Sequence, residues 1–256
     1  MKLEETLRAK RAAGTKLLVP YVTGGLGSDW PDVVRAVVDA GADAVEIGIP
    51  FSDPVMDGMT VQEASQRALD IGATPASIIT EAAGLDVEIP LIAMTYYNPV
   101  HHAGHDRFAA SLAASGIDAA IVPDLPLDEL DGWSDAADRE GVETVLLAAP
   151  TTLPDRLAAI CARSRGFVYG VSLLGVTGER AELATRAGEM GRRLKAVTDL
   201  PVLLGVGISN AEQAVEASKD ADGVIVGSAL IARLLRGEGP DGAHRFVREI
   251  REALDR

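Results

Sequence analysis

A single cysteine, Cys161, stands in a chain of 256 residues, so no intrachain disulfide can form. That suits a reducing compartment and leads to the expectation of a cytoplasmic protein. Aromatic residues make up only 4%, so Val, Ile, Leu and Ala must fill the core. No apolar run reaches the roughly 20 residues that cross a bilayer, and the charged first 13 residues do not read as a secretory signal. Basic residues are also short, 24 Lys and Arg against 38 Asp and Glu, for a net charge of −14. This disfavours a general nucleic-acid surface. An anionic ligand must be held locally, against the global field, by backbone amides at helix starts. Of the five lysines, Lys2, Lys10, Lys16, Lys195 and Lys219, none falls at the C-terminal end of a predicted strand. A Schiff-base aldolase or pyridoxal enzyme is therefore disfavoured.

What is present is ordinary for a globular protein, 47% hydrophobic and 24% charged, arranged as short apolar runs alternating with amphipathic stretches. Strands are predicted at Leu17–Tyr21, Ala44–Gly48, Leu91–Thr95, Ala119–Val122, Thr144–Leu147, Gly166–Tyr169, Val202–Leu204 and Gly223–Val226. Their nearly continuous apolar character fits parallel strands buried on both faces. Helices are predicted at Asp32–Ala40, Thr60–Leu69, Pro75–Ala83, Arg107–Ala114, Leu127–Arg139, Pro154–Arg163, Glu189–Val197, Ala211–Ala217, Leu230–Arg236 and Gly242–Leu254. One pattern recurs: a helix ends at glycine, an acidic residue follows, then a strand. It appears at Gly41-Ala-Asp-Ala, Gly116-Ile-Asp-Ala and Gly141-Val-Glu-Thr, and more loosely at Asp222-Gly-Val. Eight βα modules without a long interruption favour one α/β domain over residues 1–256, a (β/α)8 TIM barrel. The first 13 or so residues form an extra N-terminal helix that plugs the lower end.

In such a barrel the chemistry sits on the loops after the strands. After the seventh and eighth strands come Gly207-Ile-Ser209 and Gly227-Ser228. Their bare amides and hydroxyls suit a phosphate, and Ser228 could both cap its helix and donate to the ligand. Either pair alone reads as turn glycines; both together favour phosphate. Glu46 lies within the apolar run Ala44-Val-Glu-Ile-Gly48, where a carboxylate is costly unless it is paired or functional. Burial would raise its pKa towards neutral and suit it to proton transfer. Asp57 stands eleven residues on, before Gly58 and a helix, so capping and function weigh about equally. Asp53 reads as turn chemistry. His101, His102 and His105 read as solvated loop residues, with no matching ligand set for a metal. Gly24-Gly-Leu-Gly27 lacks the spacing of a dinucleotide fingerprint.

The block Glu46-Ile-Gly-Ile-Pro-Phe-Ser-Asp-Pro-Val-Met-Asp-Gly58 resembles the signature of the tryptophan synthase alpha chain family. Met94-Thr-Tyr-Tyr-Asn-Pro99, Pro123-Asp-Leu-Pro126, Gly175-Val-Thr-Gly178, Gly205-Val-Gly-Ile-Ser209 and Gly227-Ser-Ala229 match it in the same order, from about Leu17 to Arg236. The resemblance implies a lyase that performs retro-aldol cleavage of indole-3-glycerol phosphate to indole and glyceraldehyde 3-phosphate. It implies no cofactor in this chain. The implied partner is a beta subunit carrying pyridoxal phosphate, in an α2β2 tetramer with an indole tunnel. Carried over by position, Glu46 matches the general acid/base and Asp57 the carboxylate on the indole N–H. Tyr169 matches a tyrosine near substrate, with Tyr21 and Tyr96 counted beside it. Gly178, Gly207, Gly227 and Ser228 match phosphate contacts, and Thr177 a mobile-loop residue that closes on Asp57.

Some members of that family carry Arg where this chain has Leu173, Asp-Pro where it has Leu26-Gly27, and Phe where it has Tyr21. None of these replaces Glu46 or Asp57. Other readings stay open at this stage. A thiamine phosphate synthase or phosphosugar isomerase would explain Gly207 and Gly227 but not the block at 46–58. A non-catalytic activator of a beta subunit and a stand-alone indole-releasing lyase are the remaining alternatives.

Overall fold

The computed structural model describes residues 3–171, 180–205 and 207–256. Eight strands carry the fold: β1 (Leu17–Thr23), β2 (Val45–Gly48), β3 (Leu91–Met94), β4 (Ala119–Ile121), β5 (Glu143–Ala148), β6 (Val168–Val171), β7 (Val202–Gly205) and β8 (Gly223–Val226). Each pairs in parallel with its neighbours in sequence, and β8 closes on β1 to complete the barrel. The helices among the described residues are α1 (Leu3–Ala12), α2 (Trp30–Asp39), α3 (Met59–Asp70), α4 (Pro75–Ala82), α5 (Tyr97–Ala103), α6 (His105–Ala114), α7 (Asp131–Glu140), α8 (Pro154–Arg163), α9 (Arg180–Lys195), α10 (Ala211–Ser218), α11 (Ser228–Leu235) and α12 (Gly239–Leu254). Among them no helix is long and apolar enough to cross a membrane.

All eight predicted strands are present, and no end moves by more than two residues. The helices differ in four places. Tyr97–Ala103, expected within the loop after the third strand, is helical. Pro99 is the third residue of α5, where a backbone N–H has no partner within the helix, so proline costs little there. His101 and His102 therefore lie on α5, exposed as expected, and His105 opens α6 partly buried, rather than all three lying in a loop. The stretch expected as one helix from Leu127 divides into a 3-10 turn, Leu127–Glu129, and α7. Helix α9 begins at Arg180, well ahead of Glu189. Helix α12 begins at Gly239, with Pro240 in its first turn, where a turn to Gly242 was expected.

The recurring glycine–acid pattern acquires a purpose in the barrel. Gly41, Gly116 and Gly141 stop their helices at φ of +100°, +72° and +73°. The carboxylates at the bases of three even-numbered strands then accept an amide of the strand before. Asp43 takes Leu18 N–H at 2.7 Å, Asp118 takes Leu91 N–H at 3.2 Å and Asp222 takes Val202 N–H at 2.8 Å. At the fourth such seam, the Ser164 hydroxyl accepts Leu146 N–H at 3.0 Å. Lys10 and Lys195 pair with Asp43 and Asp222, each within 2.7 Å, and Lys16 donates to the Ser218 and Ala221 carbonyls. These polar contacts cluster at the lower face, the one that stabilises such barrels rather than reacting.

Strand alternation fills the interior. Leu17, Val19, Ile92, Ile121, Val145, Phe167, Leu203 and Ile225 meet inside, and Leu3 and Leu7 of α1 close the cluster from below as expected of the plug. The same inward register, two residues further up, brings Tyr21 on β1, Glu46 on β2 and Tyr169 on β6 to the upper mouth.

Candidate active site

Glu46 is flanked in the sheet by Tyr21 and Ile92. Its residue is only 1% exposed, and its Oε2 has no hydrogen-bond partner among the described residues. Burial, reinforced by the nearby charge of Asp57, pushes its carboxyl up to about 8. A closed barrel has no edge strand on which such a glutamate could turn to solvent.

Asp57 is half-buried in the loop between β2 and α3. Burial raises its carboxyl to about 6, while a hydrogen bond from Tyr96 pulls in the opposite direction. The capping alternative falls, because α3 is capped by Gly58 with no side-chain cap bond. Asp53 is exposed and accepts from the Ser52 hydroxyl at 2.6 Å, in keeping with its reading as a turn residue.

Both carboxylates line one cavity of about 560 Å³. Tyr21 and Tyr169 line it too, and burial drives both phenols well up, so they stay protonated donors. Met94, Ile121, Leu147, Ile225 and Val61 supply an apolar wall that suits a flat ring. Gly207, Gly227 and Ser228 form the rim beside β7 and β8. Gly207 has φ of +76°, a conformation that disfavours any side chain. Ser228 was expected to cap its helix. The cap of α11 is instead Gly227, with no side-chain cap bond, so Ser228 is the first helical residue and the first amides of α11 carry no side-chain cap. Ser209 is tied to Gln213, its hydroxyl donating at 2.8 Å, and Asn210 caps α10.

Not every expected residue joins this cavity. Tyr96 lies outside its wall, behind Asp57. Thr177 and Gly178 lie outside the described residues, as does Leu173. His105 shares a 2.9 Å hydrogen bond with the Tyr97 hydroxyl, and the described residues hold no cluster of three or more metal-ligating side chains.

Two glycines escaped sequence reasoning. A Cβ on Gly48 would lie 1.9 Å from the Tyr21 hydroxyl, and one on Gly205 would lie 2.5 Å from that of Tyr169. Each glycine makes room for a cavity tyrosine, and a glycine at a strand end was the available signal. A G48A chain is expected to lose about 1–3 kcal/mol of stability and to displace Tyr21 into the cavity, lowering activity. Urea denaturation alongside steady-state kinetics checks both.

Fold and site together define a (β/α)8-barrel enzyme equipped for carboxylate acid–base chemistry. A family model described as "Tryptophan synthase alpha chain" matches residues 7–253. Among similar curated proteins, the tryptophan synthase alpha chain of Streptomyces coelicolor is 43% identical over 254 residues, covering 94% of this chain and 90% of that one. That of Microcystis aeruginosa is 40% identical over 258 residues, covering 98% of each. The crystal structure of tryptophan synthase subunit alpha from Legionella pneumophila superposes with a TM-score of 0.91 at 32% identity, covering 100% of this chain and 99% of that one. A crystal structure of tryptophan synthase from M. tuberculosis gives 0.88 at 35% identity, covering 98% of each chain. The chain belongs to the tryptophan synthase alpha chain family, and it is an enzyme of the lyase type.

Proposed function

We propose that the chain cleaves indole-3-glycerol phosphate to indole and glyceraldehyde 3-phosphate, with Glu46 moving the protons and Asp57 holding the indole N–H. The observation that carries this reading is a buried carboxyl raised to about 8, its Oε2 without a partner among the described residues, sharing a cavity with a second carboxyl at about 6. At neutral pH the first keeps its proton and the second is ionised.

The C–C bond breaks only when the ring becomes an electron sink. Protonated Glu46 gives its proton to ring carbon 3, and positive charge develops at the ring nitrogen. Ionised Asp57 stabilises that charge. The glycerol hydroxyl then returns a proton to Glu46 as the C–C electrons flow back into the ring and the aldehyde forms. Glu46 thus ends the cycle protonated, as it began, and the N–H stays on indole. The apolar wall receives the indole. Gly207, Gly227 and Ser228 hold the phosphate through amides and a hydroxyl at the start of α11. Tyr21 and Tyr169 contact substrate, and Thr177 and Gly178 are assigned their roles by their match to the family motif alone.

This assignment predicts a bell-shaped pH profile for kcat/KM of the free chain. Activity rises as Asp57 ionises near 6 and falls as Glu46 loses its proton near 8, the two limbs belonging to the coupled pair. A profile flat from pH 5 to 9.5 contradicts the division of labour. The assay is release of indole from indole-3-glycerol phosphate by purified protein, and no release at any pH rejects the reading.

The proposed partner is a tryptophan synthase beta subunit in an α2β2 assembly in the cytoplasm. In support, Val55 and Met59, flanking Asp57, are 72% and 80% exposed despite being apolar. A partner covering them would act directly on the loop that bears the second carboxylate. Indole release is expected to accelerate when a beta subunit is added.

A further inference from the structure

We propose that Tyr96 is a positioning residue for Asp57, a brace that holds the loop between β2 and α3 in its reactive arrangement; this rests on the role given to Asp57 above. Tyr96 follows β3 and is almost wholly buried. Its hydroxyl accepts the Met56 N–H at 2.9 Å, and its presence beside the Asp57 carboxylate opposes the rise that burial gives that group. Its ring stacks on Phe51, with centroids 5.3 Å apart and planes 27° from parallel. One side chain from the neighbouring loop thus grips the beginning and the end of the segment from Phe51 to Asp57.

The loop needs such a grip. Ser52, Asp53, Val55, Met56 and Met59 are all exposed, so burial does little to order it. The brace is itself fixed. The next residue, Tyr97, donates its N–H to the Asp124 carboxylate at 2.8 Å, and its hydroxyl meets His105 at 2.9 Å. Tyr96 therefore stands on a segment tied to the loop after β4 and to α6. Because it lies outside the cavity wall, its influence on the reaction runs through Asp57. A phenolic O–H aimed at a carboxylate favours the ionised form and opposes the effect of burial.

The test is Tyr96→Phe, which keeps the ring and its stack on Phe51 and removes only the hydroxyl. Expected are a drop in kcat of about 10-fold with KM within about 3-fold, and an acid limb of kcat/KM moved upward from about 6. Hydrogen exchange at the Met56 amide, having lost its acceptor, accelerates about 10-fold or more. In an Asp57→Asn background the same change costs no further activity. Unchanged Met56 exchange with an unmoved acid limb overturns the brace, even when Asp57→Asn is inactive. A raised KM with kcat intact overturns it too, since that marks a substrate contact. If Asp57→Asn proves fully active, the reading of Asp57 fails, while fast Met56 exchange in Tyr96→Phe still upholds the brace on the loop.

Discussion

An E46Q chain is expected to release indole at least ~100-fold more slowly than the parent chain and yet to resist denaturant better. The amide matches the carboxyl in size but can neither give a proton to ring carbon 3 nor take one from the glycerol hydroxyl. The gain in stability follows from linkage. Glu46 is raised from an ordinary 4.5 to about 8 in the folded chain. Below pH 4.5 it is protonated whether folded or not, so its titration adds no penalty. As pH climbs towards 8, the unfolded chain sheds a proton that the folded chain keeps, and stability falls by about 1.4 kcal/mol per pH unit. By pH 7 the loss is about 3 kcal/mol, and it levels off above 8. E46Q escapes that slope. Urea denaturation of both chains at pH 4.5, 7 and 8.5 should show a gap that is small at the first pH and widest at the last. A gap that does not grow with pH, or a variant of parental activity, removes Glu46 from the role assigned to it.

Asp57→Asn is expected to cost about 10² in kcat with a much smaller change in KM, because the ionised oxygen works only once positive charge appears on the ring. The asparagine can still accept from the indole N–H, so ground-state binding largely survives. The acid limb of the pH profile should vanish with it, since Asp57, raised to about 6, is the group that sets that limb. Global stability should barely move, as the side chain is half-buried in a loop that packs little into the core. Steady-state kinetics from pH 5 to 9 checks both points. An acid limb that persists near 6 in the variant would mean another group sets it.

The features legible in the amino-acid sequence were those written in local pattern. The strands could be read because each is a short apolar run, several of them introduced by a glycine and an acid, and Glu46 because it is the carboxylate inside one such run. Asp57 was ambiguous from spacing alone, since an Asp-Gly ahead of a helix serves equally well as a cap. The resemblance favoured function, and the cap at Gly58 removes the capping alternative. Helix α5 was hidden by Pro99, which marks a turn in most contexts and is harmless in the first turn of a helix. The acids at the strand bases were visible as a repeat, but their bonds to the preceding strand depend on register, which no single strand encodes. The grip of Tyr96 on Met56 and the fit of Tyr21 over Gly48 join residues 40 and 27 positions apart. Contacts of that kind exist only once the barrel has closed.

The protonation state of Glu46 in the folded chain tests the central claim most directly. Infrared difference spectra of the parent chain against E46Q, followed from pH 5 to 10, isolate its carboxyl band. A protonated carboxyl that persists at pH 7 and disappears around 8 is the predicted result. A carboxyl already fully ionised at pH 6 would contradict it, and with it the assignment of Glu46 as the proton carrier.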